Sequence, residues 1–259
     1  MEVWERNPTG VIRVRADNPS PLTLDGTNTY VVGRWVVDPG PADPAHLSAV
    51  REAAAGEVEG VVLTHTHADH AEAAGMFGAP VHTPGEGELA GPFRALATPG
   101  HSADSVCLLL GGICFTGDTV LGIGSVFISP GEGSLGAYLE SLRRLRELNL
   151  EVLCPGHGPY VWEPRAKLDE YIAHRLDRER MLVAALEAGA RSAGELLDSA
   201  WADAPAHLRP AAALSMQAHL EKLEDEGRLP DGVSASGVGR LAVEGHAGDD
   251  QAHPGGLGH

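Results

Sequence analysis

Cysteine is scarce in this chain, with 3 in 259 residues: Cys107, Cys114 and Cys154. A disulfide framework is therefore not what holds the fold, and small buried thiols in a reducing compartment are expected. Cys107 and Cys114 flank Gly111-Gly112 and are placed to face each other across a hairpin. Basic residues are also few. Lys and Arg number 19 against 36 Asp and Glu, a formal net charge of −17. That sign disfavours non-specific binding to nucleic acid or to an anionic membrane, where cationic side chains must neutralise phosphate. No run approaches the roughly 18 apolar residues of a membrane span. Met1-Glu2-Val3-Trp4-Glu5-Arg6 lacks the apolar core of a signal peptide, so a cytoplasmic protein is expected. Apolar residues make up 43% of the chain, ordinary for a soluble globular protein. The length suits one large domain, or a medium domain with an appendage.

Histidine and aspartate, by contrast, are concentrated in one pattern. Thr64-His65-Thr66-His67-Ala68-Asp69-His70 follows the apolar Gly60-Val61-Val62-Leu63 and reads as a loop leaving a buried strand. If the backbone stays extended, His65, His67 and Asp69 project to one side and His70 to another. Three more candidate ligands sit in turns after apolar strands: His101 after Thr98-Pro99-Gly100, Asp118 after Thr116-Gly117, and His157 after Pro155-Gly156. Glycine before each ligand permits a sharp turn and close backbone approach. Reactive groups carried on strand-end loops fit this repetition.

The combined set His65-x-His67-x-Asp69-His70, His101, Asp118 and His157 resembles the metallo-β-lactamase-fold hydrolases, over roughly residues 20 to 165. Gly26-Thr27-Asn28-Thr29-Tyr30 and Val37-Asp38-Pro39-Gly40 resemble the same superfamily. The resemblance implies an α/β fold, a four-layer αββα sandwich with two metal ions at one edge. His65, His67 and His101 would hold the first zinc. Asp69, His70 and His157 would hold the second, and Asp118 would bridge the two. The best-known zinc β-lactamases carry Cys at the place of Asp118. The Asp here points instead toward the glyoxalase II-like and phosphodiesterase branches. Flavodiiron oxidoreductases would have Glu where His67 stands, which argues against a redox role. The expected cofactor is two Zn²⁺ per chain, with iron or manganese also suited to His and carboxylate donors. Asp38 either orients a ligand histidine or serves as a turn residue before Pro-Gly.

Along the chain, residues 11–16 alternate apolar and charged as a half-exposed strand. Residues 30–32 and 35–37 read as a hairpin across Gly33-Arg34. Asp43-Pro44 starts a helix that Gly56 ends. Strands are expected at 80–82 and 93–98, and a hairpin at 105–110 and 113–116. Residues 121–133 are Gly-rich loop. Ser134 caps a helix with Leu135, Leu139, Leu142 and Leu145 as its apolar stripe. Val152-Leu153 is the last core strand, and Asp69 to Gly75 begins a short helix. His46, His82, His207 and His219 have no ligand-like context.

Composition changes after residue 163. Pro164 opens a long helix to about Ala188. Ser192-Ala193-Gly194-Glu195 is a capping box, and residues 205–226 supply a further helix with Met216, Leu220 and Leu223 on one face. Residues 239–243 read as a wing strand. Tyr171-Ile172-Ala173-His174-Arg175 and Leu220-Glu221-Lys222-Leu223-Glu224-Asp225-Glu226-Gly227 resemble the β-lactamase-like protein 2 group, in which a winged-helix domain follows the hydrolase domain. The division expected is a catalytic domain at 1–163, a linking helix and winged-helix-like domain at 164–244, and a disordered tail at 245–259.

Residues 192–244 hold nine acidic and four basic side chains. An acidic recognition helix repels phosphate, so DNA is not the expected partner, and a lid or homo-oligomer surface fits better. His174 and Arg175 are candidate contacts for an anionic substrate. The leading function is a binuclear zinc hydrolase of a small ester, thioester or related carbonyl compound, with Asp69 and Asp118 as catalytic carboxylates. Hydrolysis of single-strand RNA or another phosphodiester is the alternative, since animal members of the group are similar to RNA endonucleases. A third reading is a metal-stabilised, nucleic-acid-binding regulator.

Overall fold

The computed structural model describes residues 7–129 and 131–238. The chain divides into two compact units, 1–173 and 174–259. Helix α4 runs from Pro164 to Glu187, beginning where the composition of the chain changes. Among the described residues, no helix is long and apolar enough to cross a membrane.

The first unit is built on two five-stranded sheets. In one, β1 (Val11–Arg15), β2 (Asn28–Val32) and β3 (Trp35–Val37) run antiparallel to their neighbours. Then β4 (Gly60–Val62) and β5 (Val81–His82) add in parallel. In the other, β6 (Leu89–Ala90), β7 (Phe93–Ala97), β8 (Val106–Leu110) and β9 (Ile113–Gly117) form an antiparallel run. Strand β10 (Val152–Pro155) joins β9 in parallel.

Register explains why both faces of the first sheet are apolar. Tyr30, Val37 and Val62 lie in one cross-strand row, and Val31, Val36 and Val61 in the next. The first row meets Phe93, Leu108 and Phe115 of the second sheet, forming the inter-sheet core. The second row meets Val50 and Ala54 at helix α1 (Pro44–Ala53). Each buried Val is worth about 1.5–3 kcal/mol. Asp43 caps α1 by accepting from the His46 N–H at 2.8 Å, a cap worth about 1 kcal/mol. Helix α3 (Leu135–Arg146) lies along the other sheet. Its Ser141 and Arg144 donate to Pro99 O and Ala97 O, and Leu135, Leu139, Leu142 and Leu145 are all buried. Helix, sheet, sheet and helix are thus stacked as the αββα sandwich requires.

Cys107 and Cys114 meet diagonally across the β8–β9 hairpin, their thiols in contact, with Leu109 the register partner of Cys114. Cys107 sits two residues along on the same face. All three cysteines are buried and free. The second unit contains α5 (Ala193–Ala200) and α6 (Arg209–Asp225), with Leu182, Leu196, Trp201, Met216, Leu220 and Leu223 in its core. The Ser192–Glu195 capping box is complete. The expected wing strand at 239–243 and the tail at 245–259 lie outside the described residues.

Candidate metal centre

The candidate ligands leave the C-terminal ends of four strands, β4, β7, β9 and β10, at one edge of the sandwich. Backbone bonds close this edge: Val106 N–H donates to Thr64 O at 2.8 Å, and Asn28 N–H to Gly156 O at 2.7 Å. Extended backbone carries only as far as His67, the N-cap of a short helix, α2 (Ala68–Ala71). Asp69 therefore sits on the first turn of α2 rather than in line with His65 and His67. That turn swings its carboxylate toward His70 and His157.

Two clusters result. In the first, Nδ1 of His67 lies 3.1 Å from Nε2 of His65 and 3.0 Å from Nε2 of His101. In the second, Nε2 of His70 lies 3.2 Å from Nε2 of His157, and Asp69 Oδ2 is 3.5 and 3.3 Å from those two nitrogens. Asp118 spans them. Its Oδ1 is 3.4 Å from His70 Nε2 and 3.3 Å from His157 Nε2, while Oδ2 is 3.7 Å from His101 Nε2.

Hydrogen bonds on the far side of the rings set the tautomers. His101 Nδ1 must donate to Phe127 O, at 2.8 Å. His70 Nδ1 donates to the Asp38 carboxylate at 3.0 Å. Thr64 Oγ1 donates to Asp38 at 2.7 Å, so it accepts from His65 Nδ1 at 3.1 Å. Three Nε2 lone pairs are thereby aimed inward, at distances where bare imidazole nitrogens repel. Asp118 Oδ1 is buried and has no hydrogen-bond partner among the described residues. Converging lone pairs and an orphaned carboxylate oxygen fit divalent cations better than any arrangement of protons. Asp38 also lies within reach of His65 and His70, but Thr64 N–H, Thr64 Oγ1 and His70 Nδ1 already engage both its oxygens. It supports the candidate ligands and is not one of them.

Electrostatics separate the two clusters. Burial, with His70 adding to it, pushes His65 down to about 3. Burial also lowers His101. At His70 burial opposes charge, but Asp118 and Asp38 outweigh it and raise the ring well above its ordinary value. At His157 burial again opposes charge, and Asp118 with Asp69 raises it to about 9. Burial pushes Asp118 up, yet His70 and His157 hold it well below the usual carboxylate range. The carboxylates thus favour positive charge on the His70 and His157 side, which a bound cation would supply in place of protons.

Two glycines make this packing possible. Gly117 has φ +47°, and a Cβ there would stand 2.2 Å from Thr64 Oγ1. A Cβ on Gly156 would stand 2.5 Å from His70 Cε1 and 2.7 Å from Asp118 Oδ1. The structure thus brings together His65, His67, Asp69, His70, His101, Asp118 and His157. His174 and Arg175 belong to the second unit, where Arg175 is buried and donates to Ser215 at 3.2 Å. Sequence reasoning missed Asn28, whose side-chain amide donates to Pro155 O and Gly158 O and holds the His157 loop. It also missed Asp104, which ties Thr66 to Ser102. The signal for Asp104 was its place three residues after His101, and for Asn28 its place in the Gly26–Tyr30 run.

Comparison with known proteins places the chain in one family. The sequence profile of the metallo-beta-lactamase superfamily matches residues 22–80 and 80–157, and that of the beta-lactamase associated winged helix domain matches 192–231. The chain belongs to the metallo-beta-lactamase superfamily and is a metal-dependent hydrolase of that class. Among curated relatives, the Beta-lactamase-like protein 2 homolog of Drosophila melanogaster is 30% identical, over 89% of this chain and 93% of its own length. A metallo-beta-lactamase family protein from Thermus thermophilus superposes with a TM-score of 0.67 at 25% identity, covering 84% of this chain and 94% of that one. A shorter protein solved in a di-iron-bound form gives a TM-score of 0.50 at 26% identity, covering 58% of this chain and 94% of that one.

Proposed function

We propose that the protein is a binuclear hydrolase of a small ester, thioester or related carbonyl compound, acting in the cytoplasm. The observation that carries the binuclear reading is the Asp118 carboxylate, one oxygen turned to each histidine cluster. His65, His67 and His101 would hold one ion, Asp69, His70 and His157 the other, and Asp118 would join both. A pair of such ions brings the pKa of water toward roughly 7, supplying hydroxide at neutral pH, and polarises the oxygen of a bound carbonyl. Zinc suits these donors, and so does iron, which the structurally similar di-iron protein carries. Asp69 is the more exposed of the two carboxylates, with a side chain 31% exposed against 14% for Asp118. It is placed to receive and pass on a proton, while Asp118 stays ionised.

Two exposed apolar side chains on loops that meet the His157 turn suit an acyl group better than a polyanion. Leu22 and Ile123 are 67% and 59% exposed. Each sits on a loop that meets the His157 turn. Gly26 O is 3.4 Å from His157 Nδ1, and Ile123 N approaches Gly158. The net charge of −17 points the same way. The winged-helix match is what favours the second reading, single-strand RNA or another phosphodiester. Acyl-thioesters, aryl esters and single-strand RNA, assayed side by side with and without chelator, separate the two. Expected is chelator-sensitive acyl hydrolysis that Asp118→Asn abolishes. RNA cleavage lost in the same variant would replace the carbonyl substrate with RNA. Metal content of protein purified without added metal names the ion, and fewer than two equivalents would overturn the binuclear reading.

A further inference from the structure

We propose that Asp104 is a positioning residue for the His65, His67 and His101 cluster alone, so that the two ions of the binuclear reading load through separate supports. Thr66 lies between His65 and His67, and Ser102 follows His101. The Asp104 carboxylate accepts from both. Its Oδ2 takes Thr66 N–H at 3.0 Å and Thr66 Oγ1 at 2.6 Å, and its Oδ1 takes Ser102 Oγ at 2.7 Å. One side chain thus clamps the loop of His65 and His67 to the loop of His101, which leave different sheets. Ordering of those loops before metal arrives is what sets how tightly three imidazoles bind.

The other cluster has its own supports. His70 is held by Asp38. The His157 turn is held by Asn28 and by Tyr30, whose hydroxyl donates to Pro155 O at 2.8 Å. None of these three residues bonds to Asp104. Asp38 differs from Asp104 in serving both clusters, since Thr64 relays it to His65. Loss of Asp104 should therefore weaken one ion, and loss of Asp38 both.

The inference rests on the binuclear reading, and a zinc titration of the full chain followed by histidine-ring NMR tests the two separately. In Asp104→Ala, the His70 and His157 resonances should shift at the wild-type zinc concentration. Those of His65, His67 and His101 should need about ten- to a hundredfold more. Thr66→Val, which keeps the N–H but removes the hydroxyl donor, should shift the same three rings by less. If Asp104→Ala does not fold, Thr66→Val and Asp104→Asn carry the test. Equal weakening of all five rings, or none, overturns the role of Asp104. A wild-type chain that saturates at one equivalent overturns the binuclear reading instead.

Discussion

His70 Nδ1 lies 3.0 Å from Asp38 Oδ2, with both side chains almost wholly buried. Asp38 reaches this position with φ +49°, a left-handed backbone that few residues other than glycine adopt. The strain is held by three hydrogen bonds, from Thr64 N–H, Thr64 Oγ1 and His70 Nδ1. A neutral amide cannot accept from all three donors as a carboxylate does. Asp38→Asn should release the His70 tautomer, weakening metal binding about ten- to a hundredfold. Calorimetric zinc titration reads this. Wild-type affinity in the variant would show that the contact does not orient the ring.

Gly156 is a second point at which the site tolerates no change. An added Cβ would come within 2.5 Å of His70 Cε1 and 2.7 Å of Asp118 Oδ1. His70 and the Asp118 Oδ1 atom are buried, and neither is the free end of a long side chain. Gly156→Ala should push His70 and Asp118 apart and cost about 1–3 kcal/mol of stability, the usual penalty of overpacking. Metal content and activity should fall together, whereas Gly194→Ala, in open space, leaves both unchanged. Full metal occupancy in purified Gly156→Ala would refute the argument.

The seven candidate ligands were legible because each is a polar residue in an otherwise apolar, Gly-punctuated setting. The sheets were legible because Val and Tyr fill both faces of β2, β3 and β4. Asp104 and Asn28 were not, since a single Asp in a loop or Asn at a strand end says nothing about which distant backbone it will meet. Asn28 reaches Pro155 and Gly158 across 127 and 130 residues. At Asp69 two patterns compete, alternation from His65 and a short helix from Asp69 to Gly75; α2 begins at Ala68, so the helical turn prevails.

His219 has no ligand-like context in the sequence, yet its place in the core makes stability depend on pH. It is fully buried in the second unit, and neither ring nitrogen has a hydrogen-bond partner among the described residues. Burial, helped by Arg175, Lys222, His174 and Arg178, pushes its pKa from 6.5 to about 3. The folded state thus excludes a proton that the unfolded chain accepts below pH 6.5. Stability from this group is complete above that pH and is lost as pH falls toward 3, by about 1.4 kcal/mol per pH unit at most. Trp201, with its ring centroid 5.7 Å from that of His219, reports on the same core by fluorescence. Urea unfolding of the full chain between pH 7 and 5 should show the slope, and His219→Phe should flatten it. An unchanged slope in His219→Phe would place the acid sensitivity elsewhere in the chain.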